Sequence, residues 1–459
     1  MSTFDPVTTA QQLAQMYVSG RRTSLDTQTK TNQAQLSALD KLQTALRSFD
    51  TALSALSAKK GVSSKSTSLS VTGVATASAT SSAIAGNYKL FVEQMATAQQ
   101  TSYEFPVPVP ASGAGALAIN LADGSSFTVD LQAADADGDG NLSPTEVARA
   151  INMAAGNGGK ATGMVMTVGG ISQLVISSGG TGLSNGFSLD LGNVGYAPLK
   201  AALQDPTKVK QIATAQDAVV WVGEKGSGVR VQQASNTFTG IDGLSVQLQR
   251  AQAAGDAALN LTVADDQAAT TANVQGFIDA YNTLTKVIDD LSAGGDATKG
   301  KAAGALAMDS GVRSLRRQLN GILRTSFGGA SLVEFGVSAT RDGTLALDSA
   351  RLQKRLAASS PDALQTLFGA TGITTSSGLL GAFDKYLDTW TASSTGFISR
   401  RKDGLQKTQT HLASEQTRVD AMYDSAYERY LKQYSALQSL QSQMSQTGGL
   451  LSSLSPAAA

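Results

Sequence analysis

The sequence has no cysteine in 459 residues and a single histidine, His411. The first absence excludes disulfides, thiolate nucleophiles and thiolate metal sites together. The second excludes a metal site built on several histidines, and His411 lies in a polar helical stretch, where it reads as a solvated residue rather than as the base of a catalytic triad. Charge of one sign is also missing. Lys plus Arg and Asp plus Glu each total 36, so the formal net charge is zero, and no overall basic field exists to hold nucleic acid or anionic lipid. No uncharged apolar run reaches the ~20 residues a helix needs to cross a bilayer, and Met1 to Gly20 lacks the basic-then-apolar order of a cleavable signal. Glycine is plentiful, with 46 residues. Neither Gly-Asn-Gly-Gly at 156–159 nor Gly-Gly-Thr-Gly at 179–182 is followed by the Lys-Ser/Thr of a phosphate loop, so both read as turns. Arg400, Arg401 and Lys402 form a basic cluster that reads as a solvated helix face rather than a docking patch.

What is present divides by period. Leu39, Leu42, Leu46, Phe49, Leu53 and Leu56 follow steps of three and four on a polar background, which predicts a helical seam. Leu405, Leu412, Val419, Tyr423, Ala426, Tyr430, Leu437, Leu440 and Met444 do the same near the other end. Each stripe is narrow and needs a partner; the other terminus is the nearest candidate, so a hairpin of terminal helices is expected. Between the ends the period becomes two. Strands are predicted around Tyr88–Val92, Leu117–Leu121, Phe127–Leu131, Met164–Val168, Leu174–Ser177, Phe187–Leu191, Ala218–Val222, Leu244–Leu248 and Leu259–Val263. Helices are predicted at 144–155, at a single turn of 214–217, and again over 271–292 and 310–325; Asp342-Gly343 marks a hairpin turn. The expected fold class is α+β, with long terminal α-helices forming a coiled-coil leg and a mainly β head inserted between them. The expected boundaries are 1–60 and 401–459 for the helical leg, 61–85 for a connecting part of the helical frame, 86–266 for the head, in two subdomains with 100–200 distal, and 267–400 for the second half of the frame.

One local motif stands out. Asp135, Asp137, Asp139, Gly140, Asn141, Leu142, Ser143 and Glu146 fit every defined position of the twelve-residue calcium loop, which needs oxygen ligands at alternate positions, Gly at the sixth and a carboxylate at the twelfth. A strand precedes it, so the element would be strand, loop, helix. Ser143-Pro144-Thr145-Glu146 is also a capping box with Pro at the first helical position, so an acidic turn leading into a capped helix is the alternative reading. The expected metal ligands are Asp135, Asp137, Asp139, Asn141, Ser143 and Glu146, holding a structural calcium ion; no catalytic cofactor is expected.

Several strings, in order, resemble the flagellar filament-cap (FliD, hook-associated protein 2) family along nearly the whole chain. Gly86-Asn87-Tyr88 through Gln94-Met95-Ala96 is similar to the family's entry into the head. Ser235-Asn236, Phe238 and Ile241-Asp242-Gly243-Leu244 resemble the return from it. Phe277-Ile278-Asp279-Ala280-Tyr281-Asn282, then Gly336-Val337, Asp342-Gly343-Thr344-Leu345, Leu347-Asp348, Leu352 and Pro361 through Phe368, resemble the next blocks. Gly396 to Ile398, Arg400, Tyr430, Gln433-Tyr434, Met444 and Leu450-Leu451 follow its terminal helix. The resemblance implies a non-enzymatic structural cap at the flagellum tip, outside the cell, exported through the flagellar type III channel. It further implies a ring homo-oligomer, commonly a pentamer, that retains exported flagellin and promotes its insertion. The implied partners are flagellin, hook-filament junction proteins and an export chaperone, with no nucleic acid and no membrane insertion. The competing readings are a surface-binding adhesin head and another axial component, such as a junction protein or flagellin itself.

Overall fold

The structure, a computed structural model, describes residues 5–58, 61–106, 108–358, 361–372 and 376–454. The chain ends of the expected leg, including Leu451's side chain in the last helix, fall outside what is described. Helices among the described residues are α1 (Pro6–Ala58), α2 (Pro144–Met153), α3 (Ala197–Gln204), α4 (Gln267–Ser292), α5 (Ser310–Leu323), α6 (Ser349–Ala358), α7 (Pro361–Phe368), α8 (Gly378–Thr391) and α9 (Phe397–Leu454). They divide between two compact units, Met1–Val62 with Thr271–Ala459, and Ser63–Thr270.

In the first unit the C-terminal half of α1 is a core element. Leu42, Leu46, Phe49 and Leu53 are at most 1% exposed and share one core with α4, α5, α7 and α8. The Phe49 ring meets Phe383 edge-on at 5.3 Å, with Tyr281 and Phe277 at 6.1 and 6.2 Å, geometries that add to the area these rings bury. The seam expected to pair with the other terminus is therefore buried mainly against the middle helices. A stripe on one helix fixes that something must cover it, and here four helices drawn from residues 267–391 supply more apolar area than one terminal helix could. A short hairpin, Val337–Ala339 with Leu345–Leu347, closes this unit around the expected Asp342-Gly343 turn. Its outer edge is sealed by Asn282, whose Oδ1 accepts from the Leu345 amide at 2.7 Å while its Nδ2 donates to the Leu345 carbonyl at 2.9 Å.

The second unit is built on antiparallel sheets around two cores. Ser64–Leu69, Leu259–Asp266, Gly86–Gln94, Ala218–Val222 and Val229–Gln233 form a five-stranded sheet in that order, and Thr237–Phe238, Leu244–Leu248 and Ala75–Ala79 a three-stranded one. Leu90, Val92, Val220, Phe238, Val246 and Leu261 are buried together between them. Residues 64–79, expected as a connecting part of the helical frame, are thus strands of the β unit. Their Ser-Lys-Ser-Thr-Ser and Ala-Thr-Ala-Ser-Ala runs alternate between small and polar side chains, which hides the period-two contrast.

The second core lies under a four-stranded sheet, Val209–Ala213, Gln100–Glu104, Ile171–Ser178 and Ala161–Val168, and a three-stranded one, Phe187–Asp190, Ala116–Leu121 and Ser126–Asp130, with α2 and α3 packed alongside. Residues 214–217 are not a helical turn. Thr97 and Gln216 exchange both backbone bonds there, at 3.0 and 3.2 Å, because pairing satisfies both backbones where one isolated turn would satisfy neither. Helix α3, with Pro198 in its first turn, was not visible as a period in eight residues.

Candidate functional site: the terminal helix pair and the acidic loop

The N-terminal half of α1 pairs with α9, and the pair is antiparallel. Asn32 Nδ2 donates to the Leu405 carbonyl at 3.1 Å and to Gln409 Oε1 at 2.8 Å. Arg22 meets Asp420 at 2.7 Å and lies over the Tyr423 ring at 5.0 Å, and Arg429 covers Tyr17 at 5.9 Å. The apolar contact is made by small residues. Ala10, Ala14 and Val18, spaced by four, are fully buried on α1, and Leu412, Val419 and Ala426 are buried on α9. Two alanines one turn apart followed by a valine let the helices approach closely at that end. Sequence reading missed it because alanine contrasts little with a Ser/Thr/Gln background; the spacing itself was the available signal.

The Arg22 hydrogen bond, then that of Gln416, holds the Asp420 carboxyl below its usual range. Nor is the basic cluster merely solvated. Arg401 pairs at 2.5 Å with Asp309, the residue that caps α5, and Lys402 pairs at 2.5 Å with Asp40 of α1. Arg400 and His411 are exposed, with Arg400 over the Phe397 ring.

The α9 stripe changes character along its length. Leu412, Val419 and Ala426 are buried, Leu405, Tyr423 and Tyr430 half-buried, and Leu437, Leu440, Met444 and Leu450 are 49, 54, 68 and 64% exposed. The cause is length: with Tyr17 beside Arg429, the first turn of α1 at Pro6 lies near residue 440 of α9, which continues to Leu454. No charged residue follows Lys432.

In the β unit the structure brings Asp135, Asp137 and Asp139 together, with one carboxylate oxygen of each within 4.8 Å of the others. Backbone amides fold the loop around them. Asp135 accepts from Gly138 and Gly140 at 2.8 and 2.9 Å, Asp137 from Asp139 at 3.1 Å and Asp139 from Asn141 at 2.7 Å. Gly140 sits at φ 82°, a conformation that favours glycine. Asn141 and Leu142 pair with Pro110 and Val109.

Glu146 is not in the carboxylate cluster. Its Oε2 accepts from the Ser143 amide at 2.8 Å, completing the capping box of α2, and its Oε1 accepts from the Ala136 amide at 2.7 Å. These amides, Ser143 first and Ala136 next, lower its pKa to about 2. The capped-helix reading of the motif is therefore formed, and beside it three of the expected ligands, Asp135, Asp137 and Asp139, gather oxygen donors of the kind a hard cation takes. Among the described residues no helix is long and apolar enough to cross a membrane.

Residues 2–99 match the family model described as flagellar hook-associated protein 2 N-terminus, and residues 215–446 the one described as its C-terminus. The acidic loop lies in the stretch between them. The lateral flagellar hook-associated protein 2 of Vibrio parahaemolyticus is 35% identical, over 97% of this chain and 99% of that one. The B-type flagellar hook-associated protein 2 of Pseudomonas aeruginosa is 28% identical, over 92% and 89%. The crystal structure of the flagellar cap protein FliD D1-D2-D3 domains from Escherichia coli superposes with a TM-score of 0.57 at 25% identity, over 80% of this chain and 99% of that one.

Proposed function

Because this chain belongs to the flagellar hook-associated protein 2 family, it is a structural flagellar cap protein of the filament tip, and we propose that its terminal helix pair is the part that engages the filament. In this reading it retains exported flagellin and promotes its insertion, working as a ring of identical chains beside the hook-filament junction proteins. It would reach the tip by flagellar type III export, escorted by a chaperone, and it carries out no catalysis.

The observation that supports the reading is the bare end of α9, where Leu437, Leu440, Met444 and Leu450 stay exposed on an uncharged helix. A narrow stripe of this kind is complete only when another helix covers it. The test is complementation of a strain lacking the gene. Leu437→Asp with Leu440→Asp should leave melting unchanged, since both residues are exposed, yet give short filaments and flagellin in the medium. Normal filaments would reject the assignment.

We further propose that the acidic loop takes calcium through Asp135, Asp137, Asp139, the Asn141 carbonyl, Ser143 and Glu146. The ion would relieve repulsion between carboxylates that lie within 4.8 Å in the cluster and brace the start of α2. Its role there is structural.

A further inference from the structure

The four-stranded sheet of the β unit has two edges, and they are treated differently. One edge, Val209–Ala213, carries Lys210 and a register shift between Gln211 and Ala213, two of the devices that keep edges from pairing. The other edge is Ala161–Val168, eight residues long, within a stretch that has no charge and no proline from residue 161 to residue 189.

Part of that second edge is closed by side-chain amides. Asn157 donates to the Ala161 carbonyl at 2.9 Å and accepts from its amide at 3.0 Å; Asn152 does the same for Gly163, both at 2.8 Å. Gly163 is required there, since a Cβ would lie 2.8 Å from the Ala148 backbone of α2. Because the outward groups of a strand recur every second residue, Val165 and Thr167 turn their N–H and C=O the same way. Beyond the reach of α2, these two have no partner among the described residues. Around them Met164, Met166, Val168 and Ile171 are 38 to 50% exposed.

We propose that this edge is a self-association surface, in which the same strand of a second copy pairs with it antiparallel about a two-fold axis at Met166. The open rungs are self-complementary. With Met166 facing its counterpart, Val165 of each chain lies opposite Thr167 of the other, and each such pair exchanges both of its backbone hydrogen bonds, so every open group is used. Met164 then faces Val168, giving apolar contacts on both sides with no charge to oppose them, and methionine adapts its shape to such a seam. The contact is isologous, so it joins two chains and stops; it is separate from any contact that closes a ring.

The absence of cysteine makes the test direct, since any disulfide in a single-cysteine variant must join two chains. In the proposed register residue 166 is a non-hydrogen-bonded pair with Cα atoms about 4.5 Å apart, inside the range a disulfide needs. Residue 168 lies about 14 Å from its own counterpart. Oxidised full-length Met166→Cys should therefore form a dimer, Val168→Cys at least about tenfold less, and adding Thr167→Pro to Met166→Cys should abolish it, because proline removes an open N–H that the sheet itself does not use. As a second route that leaves the backbone alone, Met166→Glu and Met166→Lys should each lose the pairing and regain it when mixed. Equal cross-linking at 166 and 168 would overturn the register. No cross-linking at either would overturn the second copy as occupant and leave the edge to an extended segment of another protein.

Discussion

A recurring device at the scale of single residues is a side-chain amide that stands in for a strand. Asn282 closes both bonds of Leu345, Asn236 those of Ala96 at 2.8 Å each, and Gln99 those of Phe187 at 2.8 and 2.9 Å. Asn and Gln alone carry a donor and an acceptor in this geometry. This gives a physical meaning to the strings that carry the family resemblance. Asn282 ends one string and Leu345 ends another more than sixty residues on; Asn236 likewise meets Ala96. Replacing Asn282 by Asp keeps the shape and the acceptor but sets a carboxylate against the Leu345 carbonyl. The expected loss is about 1–3 kcal/mol in the first unit, read by urea unfolding, while Asn282→Gln should not restore it because its longer arm misplaces the pair. A loss below about 0.5 kcal/mol would mean that water replaces the amide at no cost.

Elements were legible in the sequence in proportion to their apolar contrast. Leu244–Leu248 coincides with its predicted strand because leucine and valine mark the period plainly, and Ala218–Val222 because it is a short unbroken apolar run. Ser64–Leu69 and Ala75–Ala79 escaped because serine, threonine and alanine do not, and the alanines of α1 escaped for the same reason. The α+β class, the two long terminal helices and their pairing were readable, whereas the burial of the Leu39–Leu56 seam against the middle helices was not, since periodicity reports that a face is buried and never against what.

In the acidic loop the sequence announced the capping-box bond from the Ser143 amide to Glu146, but gave no sign that the Ala136 amide would hold its other oxygen. Together these bonds have a pH signature. With its pKa lowered from 4.5 to about 2, Glu146 stabilises the folded β unit fully above pH 4.5, and the contribution is lost as the pH falls toward 2. The gap in melting temperature between the native chain and Glu146→Gln should therefore close across that window. Calcium should act on the same element. An affinity on the order of 0.1–1 mM would suit an external loop, and a hundredfold excess over it would add about 2.7 kcal/mol. Magnesium should add less, and Asp135→Ala with Glu146→Ala should abolish the difference. Melting indifferent to millimolar calcium would leave only the capped acidic turn.

For the whole molecule, the two units differ in what holds them. The first draws its core from both ends of the sequence, with Leu46 and Phe49 of α1 packed among Phe277, Phe368 and Phe383, so it closes only when segments more than two hundred residues apart have met. The second is one continuous stretch, Ser63–Thr270, with its own two cores. Because the second unit draws on no residue outside its own stretch, it can complete its cores without the helical one. The consequence is separable unfolding. Leu46→Asp buries a carboxylate at a site with no exposure, a change worth about 4 kcal/mol or more, and it should abolish the transition of the first unit. The β unit should keep its own cooperative transition, and calcium should shift that transition alone, because a ligand stabilises only the cooperative unit that binds it. Calorimetry of the full chain resolves these cases. A single transition lost entirely in Leu46→Asp would show instead that the units fold as one, and that the helical frame must close before the β cores are stable.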